Sequence, residues 1–162
     1  MSYDVVKVVH ALAAVAATGP LLFAPWLSAH LKRGQAGNQA MLLSGLAVTD
    51  RYYNIAGWVL MLSGMVMFYL EDWHRVFQLW FLLSVVIFVF DSLAEKRLRD
   101  PANDALAKLQ PGDAGWQENV SRLHKAVLTQ MICTALILMV MLLHSQLQIN
   151  VLAEAPFARL FS

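Results

Sequence analysis

Five histidines are spread along the chain, and three of them fall where an imidazole could do chemistry. His10, in "KVVHALAAVAATG", stands near the start of a long uncharged run, and Ala13, Ala14 and Ala17 share its helical face. Such a strip of small side chains leaves room beside the backbone for something bulky, either a neighbouring helix or a flat cofactor ligated by the imidazole. His144 lies near the far end of the last apolar run, and His74, in "EDWHRV", lies between the second run and the third. Histidines on two different helices can ligate a haem iron axially, which makes His10 and His144 the candidate pair for haem b. The same two with His74, helped by thioethers from Met65, Met67, Met139 and Met141, suit copper as the alternative, because imidazole and soft sulfur favour that metal. A plainer reading stands beside these. Interior histidines hydrogen-bond neighbouring helices, a loop histidine at position 74 is solvated, and methionines fill irregular gaps.

A second set gathers at the opposite end of the runs, in "DRYYN" and "VFDSLAEKRLR". Asp91 is the acid inside an apolar run, and a carboxylate there needs a partner or a proton. Arg51 stands at the same level, so the simplest expectation is an Asp91 to Arg51 ion pair joining two helices. The functional alternative has Arg51, with Tyr52 or Tyr53, holding an anionic group such as a lipid phosphate or a haem propionate. Arg51 thereby joins His10 and His144 as a cofactor-binding candidate, while His30 and His124 belong to the interface at this end.

The elements that must position these residues follow from hydropathy. Of 162 residues 59% are hydrophobic and 14% charged, against about 25% charged in a soluble domain. A bilayer core takes about 20 apolar residues per helical span, and the chain offers spans at about 5–31, 52–70, 76–94 and 120–147. The expected fold is all-α, a four-helix transmembrane bundle filling one integral membrane domain, 1–162, with cytoplasmic connections 32–51 and 95–119. The first run carries Asp4 as well as Lys7 ahead of it and continues to Leu31, beyond the roughly 7 to 15 residues of a signal-peptide core, so it reads as a retained helix. With one cysteine, Cys133, an intramolecular disulfide is excluded.

Within the connections, Gly34 and Gly37 break the first helix, and Met41, Leu42, Leu43 and Leu46 suit a short surface helix. Asp100 and Pro101 open another, Pro111 and Gly112 close it, and Asp113 caps a last helix beginning near Ala114. Polar or small stripes mark the inward faces: His10, Ala14, Ala17, Leu21, Ala24 and Ser28 on the first span, Gly57, Met61 and Gly64 on the second. Trp80, Ser84 and Asp91 mark the third, and Gln130, Thr134, Ile137, Met141 and His144 the fourth. There is no Gly-rich phosphate loop, Cys-x-x-Cys pair or His-Glu-x-x-His zinc motif, and no basic and aromatic patch suited to nucleic acid.

Basic residues are retained on the cytoplasmic side. Lys32, Arg33, Arg51, Lys96, Arg97, Arg99, Lys108, Arg122 and Lys125 fall on one side of a four-span chain and Lys7, Arg75 and Arg159 on the other, which sends both termini outward.

Four spans, an outward N-terminus, the Lys7-x-x-His10 head of the first helix followed by small residues and Gly19, and the basic connection before the second helix resemble an uncharacterised family of bacterial four-helix integral membrane proteins. That family is distantly similar to the CopD copper-resistance proteins and to HemJ, the membrane protoporphyrinogen oxidase, and the resemblance runs from about Tyr3 to Leu143. It implies a multi-pass protein of the bacterial inner membrane with periplasmic termini, and a haem-binding histidine at His10. The third-helix lysine of HemJ has no counterpart in "RVFQLWFLLSVVIFVFD", so the oxidase activity is not carried over. Two functions are expected on these grounds. One is a small haem-binding, redox-associated membrane protein; the other is a non-catalytic accessory or assembly subunit packing against other membrane subunits. A C-terminal alkaline phosphatase fusion is expected to be active, and a C-terminal fluorescent fusion that matures only in the cytoplasm dark; the reverse pattern would invert the topology.

Overall fold

The computed structural model describes residues 2–34, 37–71, 73 and 76–148. His74, Arg75 and the tail from residue 149 onward lie outside the described residues. Five α-helices carry the structure, with no β-strand among the described residues. They are α1 (Ser2–Lys32), α2 (Gln39–Leu70), α3 (Leu79–Ala94), α4 (Asp100–Leu106) and α5 (Trp116–Leu142), and a π-helical turn (Glu95–Arg99) joins α3 to α4. Three of them, α1, α2 and α5, are long and apolar enough to cross a membrane.

The helix ends follow local chemistry. α1 stops at Lys32, where Gly34 turns into the left-handed region at φ 69° and Gly37 follows at 101°; a residue with a Cβ is strained there. Inside α1, Pro20 and Pro25 have no N–H to give, which frees the carbonyls of Ala16 and Leu21. α5 starts at Trp116 after Gly115, whose φ is 90°. Asp113 does not cap that helix: its carboxylate accepts from the Gln110 N–H at 2.6 Å and so closes the preceding turn.

α2 is one continuous helix of 32 residues, about 48 Å long at 1.5 Å per residue, well beyond the roughly 30 Å of a hydrocarbon core. The separate surface helix expected around Met41 to Leu46 is therefore the first turns of α2. Leu42 and Leu46 do not rest on headgroups; they are buried with Ala24, Leu31, Ala102, Leu106, Trp116, Val120, Leu123 and Val127 in one apolar cluster. The best-packed part of the molecule thus lies where the sequence pattern suggested connections. The physical reason is solvent: helices that leave the bilayer meet water and must cover their apolar faces against one another, whereas within lipid apolar side chains face outward freely. Val15, Leu22, Ile55, Trp58, Leu62, Val86, Phe90 and Leu142 are accordingly exposed.

α1 packs along α2 and against α5, and α3 packs along α5. Three contacts at successive depths set α3 antiparallel to α5: Trp80 lies edge-on to His144 with ring centroids 6.2 Å apart, the Cys133 thiol donates to Asp91, and Arg99 donates to Gln130. α2 and α3 touch at two levels, through Tyr53 and Asp91 at one end and through Phe68 against Trp80 and Phe81 at the other. The inward stripes hold on α1 from Ala13 to Ser28, on α3 at Trp80, Ser84 and Asp91, and on α5 at Gln130 and Thr134, all buried apart from Ala14 and a few partly covered neighbours. On α2, Met61 is exposed.

Leu123 is 1% exposed inside the apolar cluster, so Leu123→Ala is expected to cost about 2 to 5 kcal/mol through the cavity it leaves. Leu142→Ala, on a lipid-facing position at 80% exposure, should stay within about 0.5 kcal/mol. Thermal unfolding in detergent reads both.

Candidate functional site

The polar side chains of the interior gather at one level, where α2, α3 with its π turn, and α5 meet. α2 contributes Asp50 and Tyr53, with the exposed Asn54 at their edge; spacings of three and four place the three on one face. Arg51 is turned about 100° from Asp50 and is exposed. α3 contributes Asp91, and the π turn adds Glu95 and Arg99. In a regular α-helix Arg99 would stand about 80° round from Asp91; the wider π turn brings it back toward the same face, a distortion that recurs at functional positions. From α5 come Gln130, Cys133 and Thr134, all buried.

Arg99 is 2% exposed. Its Nη1 lies 2.9 Å from Asp50 Oδ1 in a close ion pair and donates to Gln130 Oε1, while its Nε has no hydrogen-bond partner among the described residues. Tyr53 Oη sits 2.8 Å from Thr134 Oγ1 and 3.4 Å from Asp91 Oδ2. Asn54 hydrogen-bonds Glu95, and burial together with the nearby Asp50 carboxylate pushes Glu95 above the usual carboxylate range. The expected Asp91 to Arg51 pair does not form. Periodicity placed an acid and a base at one depth, but Arg51 faces outward with Ile55 and Trp58, and the inward cation is Arg99, which the sequence pattern assigned to a connection. The signal that could have found it is the i, i+4, i+8 run of Asp91, Glu95 and Arg99, legible only once the π turn is known.

The histidines go to separate places. His10 is half-buried against α2: its Nδ1 lies 2.9 Å from Ser63 Oγ, and its ring packs on the Gly64 backbone, 3.6 Å from where a Cβ there would stand. The Ser63 hydroxyl lies within donating distance of the Val59 and Leu60 carbonyls, at 2.6 and 3.1 Å, and the Leu60 carbonyl also accepts from the His10 ring, so the imidazole donates toward α2; with Nδ1 as that donor, Nε2 carries the lone pair. The small-residue strip beside it is covered by neighbouring helices, with Ala13 at 7% and Ala17 at 3% exposure. His124 is held by Ser28 at 2.9 Å, tying α5 to α1. His144 lies just past the end of α5, exposed, with Nδ1–H donating to the Met141 carbonyl at 2.9 Å. His30 donates to the Trp26 carbonyl. No contact joins His10 to His144, and among the described residues no three His, Cys, Asp or Glu side chains are grouped to hold a metal ion.

With this geometry in place, comparison finds no protein-family model, no curated protein and no solved structure that matches the chain. The class that fold and site define is an all-helical bundle, three of its helices long and apolar enough to cross a membrane, tied together by buried polar contacts.

Arg99→Met strands the Asp50 carboxylate and is expected to lower stability by about 3 to 5 kcal/mol. Asp50→Asn should also destabilise, and the double variant should lose less than the sum. Arg51→Met is expected to change stability by no more than about 0.5 kcal/mol. Unfolding of the purified protein in detergent measures the set, and strict additivity of the two losses would mean that the residues do not act as a pair.

Proposed function

We propose that the protein is a four-span bundle of the bacterial inner membrane, both termini periplasmic, serving as an accessory or assembly subunit of a larger membrane complex. The observation that carries this reading is the use made of the interior. Ser63 takes His10, Ser28 takes His124, Asp50 and Gln130 take Arg99, and Thr134 takes Tyr53, so the buried polar groups hold helix to helix, the role such groups have in membrane bundles. The small residues of α1 serve close helix approach in the same way. α3 supplies the fourth span: it lies antiparallel along the membrane-crossing α5, from Trp80 beside His144 to Arg99 beside Gln130, and so shares its depth.

A second reading is favoured by the tautomer of His10. A ligating histidine commonly has its other ring N–H held by a protein acceptor, and Ser63 does this for Nδ1, leaving the Nε2 lone pair for an axial bond. In that reading the protein is a haem-binding, redox-associated membrane protein akin to CopD and HemJ, with His10 and His144 as ligands of haem b, Arg51 beside a propionate, and copper on His10, His144 and His74 as the alternative. The covered Ala13 and Ala17 strip weighs against a porphyrin between α1 and its neighbours, which is why this reading stands second.

The first reading expects protein purified from cells supplied with haem and copper to be colourless and metal-free, and to run in native gels of mild membrane extracts as an assembly larger than its own detergent micelle. It also expects Ala14→Leu to cost about 1 to 3 kcal/mol through overpacking. A visible bis-imidazole spectrum that His10→Ala abolishes would replace it with the second.

A further inference from the structure

We propose that Asp91 is a proton-binding site inside the bundle, holding a proton at neutral pH and exchanging it with water at the basic end by way of Glu95. The proposal goes beyond the accessory-subunit reading and does not depend on it.

Three features of the geometry carry it. The first is charge count. Asp50, Asp91 and Glu95 converge with a single buried cation, Arg99, and Asp50 already occupies that guanidinium at 2.9 Å. Asp91 is 7% exposed and, among the described residues, has no cation at ion-pair distance. An ionised carboxylate left in that position is costly, and a bound proton removes the cost. The second is bond length. A hydroxyl bonded to a carboxylate closes to about 2.5 to 2.7 Å, whereas Tyr53 Oη stands 3.4 Å from Asp91 Oδ2 and makes its short bond, 2.8 Å, to Thr134. The Tyr53 hydroxyl therefore gives Asp91 no short charge-assisted bond of the kind that would hold it ionised.

The third is a route. Glu95 follows Asp91 by one helical turn toward the basic end, is only partly buried, and is bonded by Asn54. A proton leaving a hydronium ion there breaks a hydronium O–H bond and forms one on Glu95, with water as the other product; the Glu95 O–H bond then breaks as the proton passes to Asp91, which restores the Glu95 carboxylate. When Asp91 gives the proton up, Tyr53 can turn its hydroxyl to the new carboxylate and Thr134 can donate to Tyr53. The hydroxyl chain therefore has one arrangement for each protonation state.

The groups facing Asp91 are accounted for on every helix packed near it. α2 presents Tyr53 and, further off, Asp50; the π turn presents Glu95 and Arg99; α5 presents Cys133, Thr134 and Gln130. α1 brings Pro20, Leu21, Ala24 and Pro25 beside Tyr53 and Gln130, with no charge among them.

Infrared titration of the full-length protein in lipid decides the matter, since a protonated carboxyl has a carbonyl stretch that a carboxylate lacks. At neutral pH, with surface acids ionised, the wild type should retain one such band, which shifts on deuteration and moves with carbon-13 aspartate but not with carbon-13 glutamate. Asp91→Asn should abolish the band, Tyr53→Phe should shift it, and the exposed Asp104→Asn should leave it. Isotope labelling of the wild type keeps the test independent of whether Asp91→Asn folds. Absence of the band at neutral pH, its movement with labelled glutamate, or its loss in Asp50→Asn and not in Asp91→Asn would each overturn the proposal.

Discussion

A guanidinium shut inside an apolar bundle constrains everything around it. Arg99 cannot lose its charge, so a carboxylate and an amide oxygen must be brought to it, and these come from Asp50 on α2 and Gln130 on α5. That requirement sets the rotation of both helices, and it accounts for the π turn, which swings Arg99 back beneath Asp91. Held through Nη1 by these two partners, with Nε left without a hydrogen bond among the described residues, the residue joins three helices at one level. Stripped of Asp50, it would be worse than a hydrocarbon in its place.

This polar level also divides the molecule. Below it, toward the basic end, the early turns of α2 and α5, the last turns of α1 and the short α4 bury Leu31, Ala102, Val120 and Leu123 almost completely. Above it the helices keep their apolar side chains outward and meet one another through small residues and single hydrogen bonds such as His10 to Ser63. One chain thus uses two solvents. The hydrophobic effect closes the watery end, while close packing and interhelical hydrogen bonds hold the lipid end. The candidate site sits at the junction, where burial is deep enough to perturb a carboxyl and water is near enough to exchange its proton.

The histidines illustrate how a single residue type divides in three dimensions. His10 and His124 carry comparable hydrogen bonds to serines on another helix, and both act as cross-links. His144 is near neither. It stands past the last turn of α5 against Trp80, because the helix ends at Leu142 and the periodic stripe that pointed inward from Gln130 no longer applies beyond that end.

Composition and periodicity alone determined that the chain is helical, with helices long and apolar enough to cross a membrane, since in lipid an uncharged run of that length satisfies its backbone only as a helix. They also determined the breaks at Gly34 and Gly37 and the inward faces of α1, α3 and α5, because a 3.6-residue repeat is a property of each helix by itself. Which acid meets which base was decided only by the tertiary structure. Asp91, Arg51, Asp50 and Arg99 lie at similar depths, and the choice among them depends on helix rotation, on a π turn that no local pattern announces, and on which neighbour is close. The packed end was hidden for the same reason: Leu42, Leu46, Ala102 and Leu106 are ordinary connection residues until four segments distant in sequence are folded against one another and water is excluded between them.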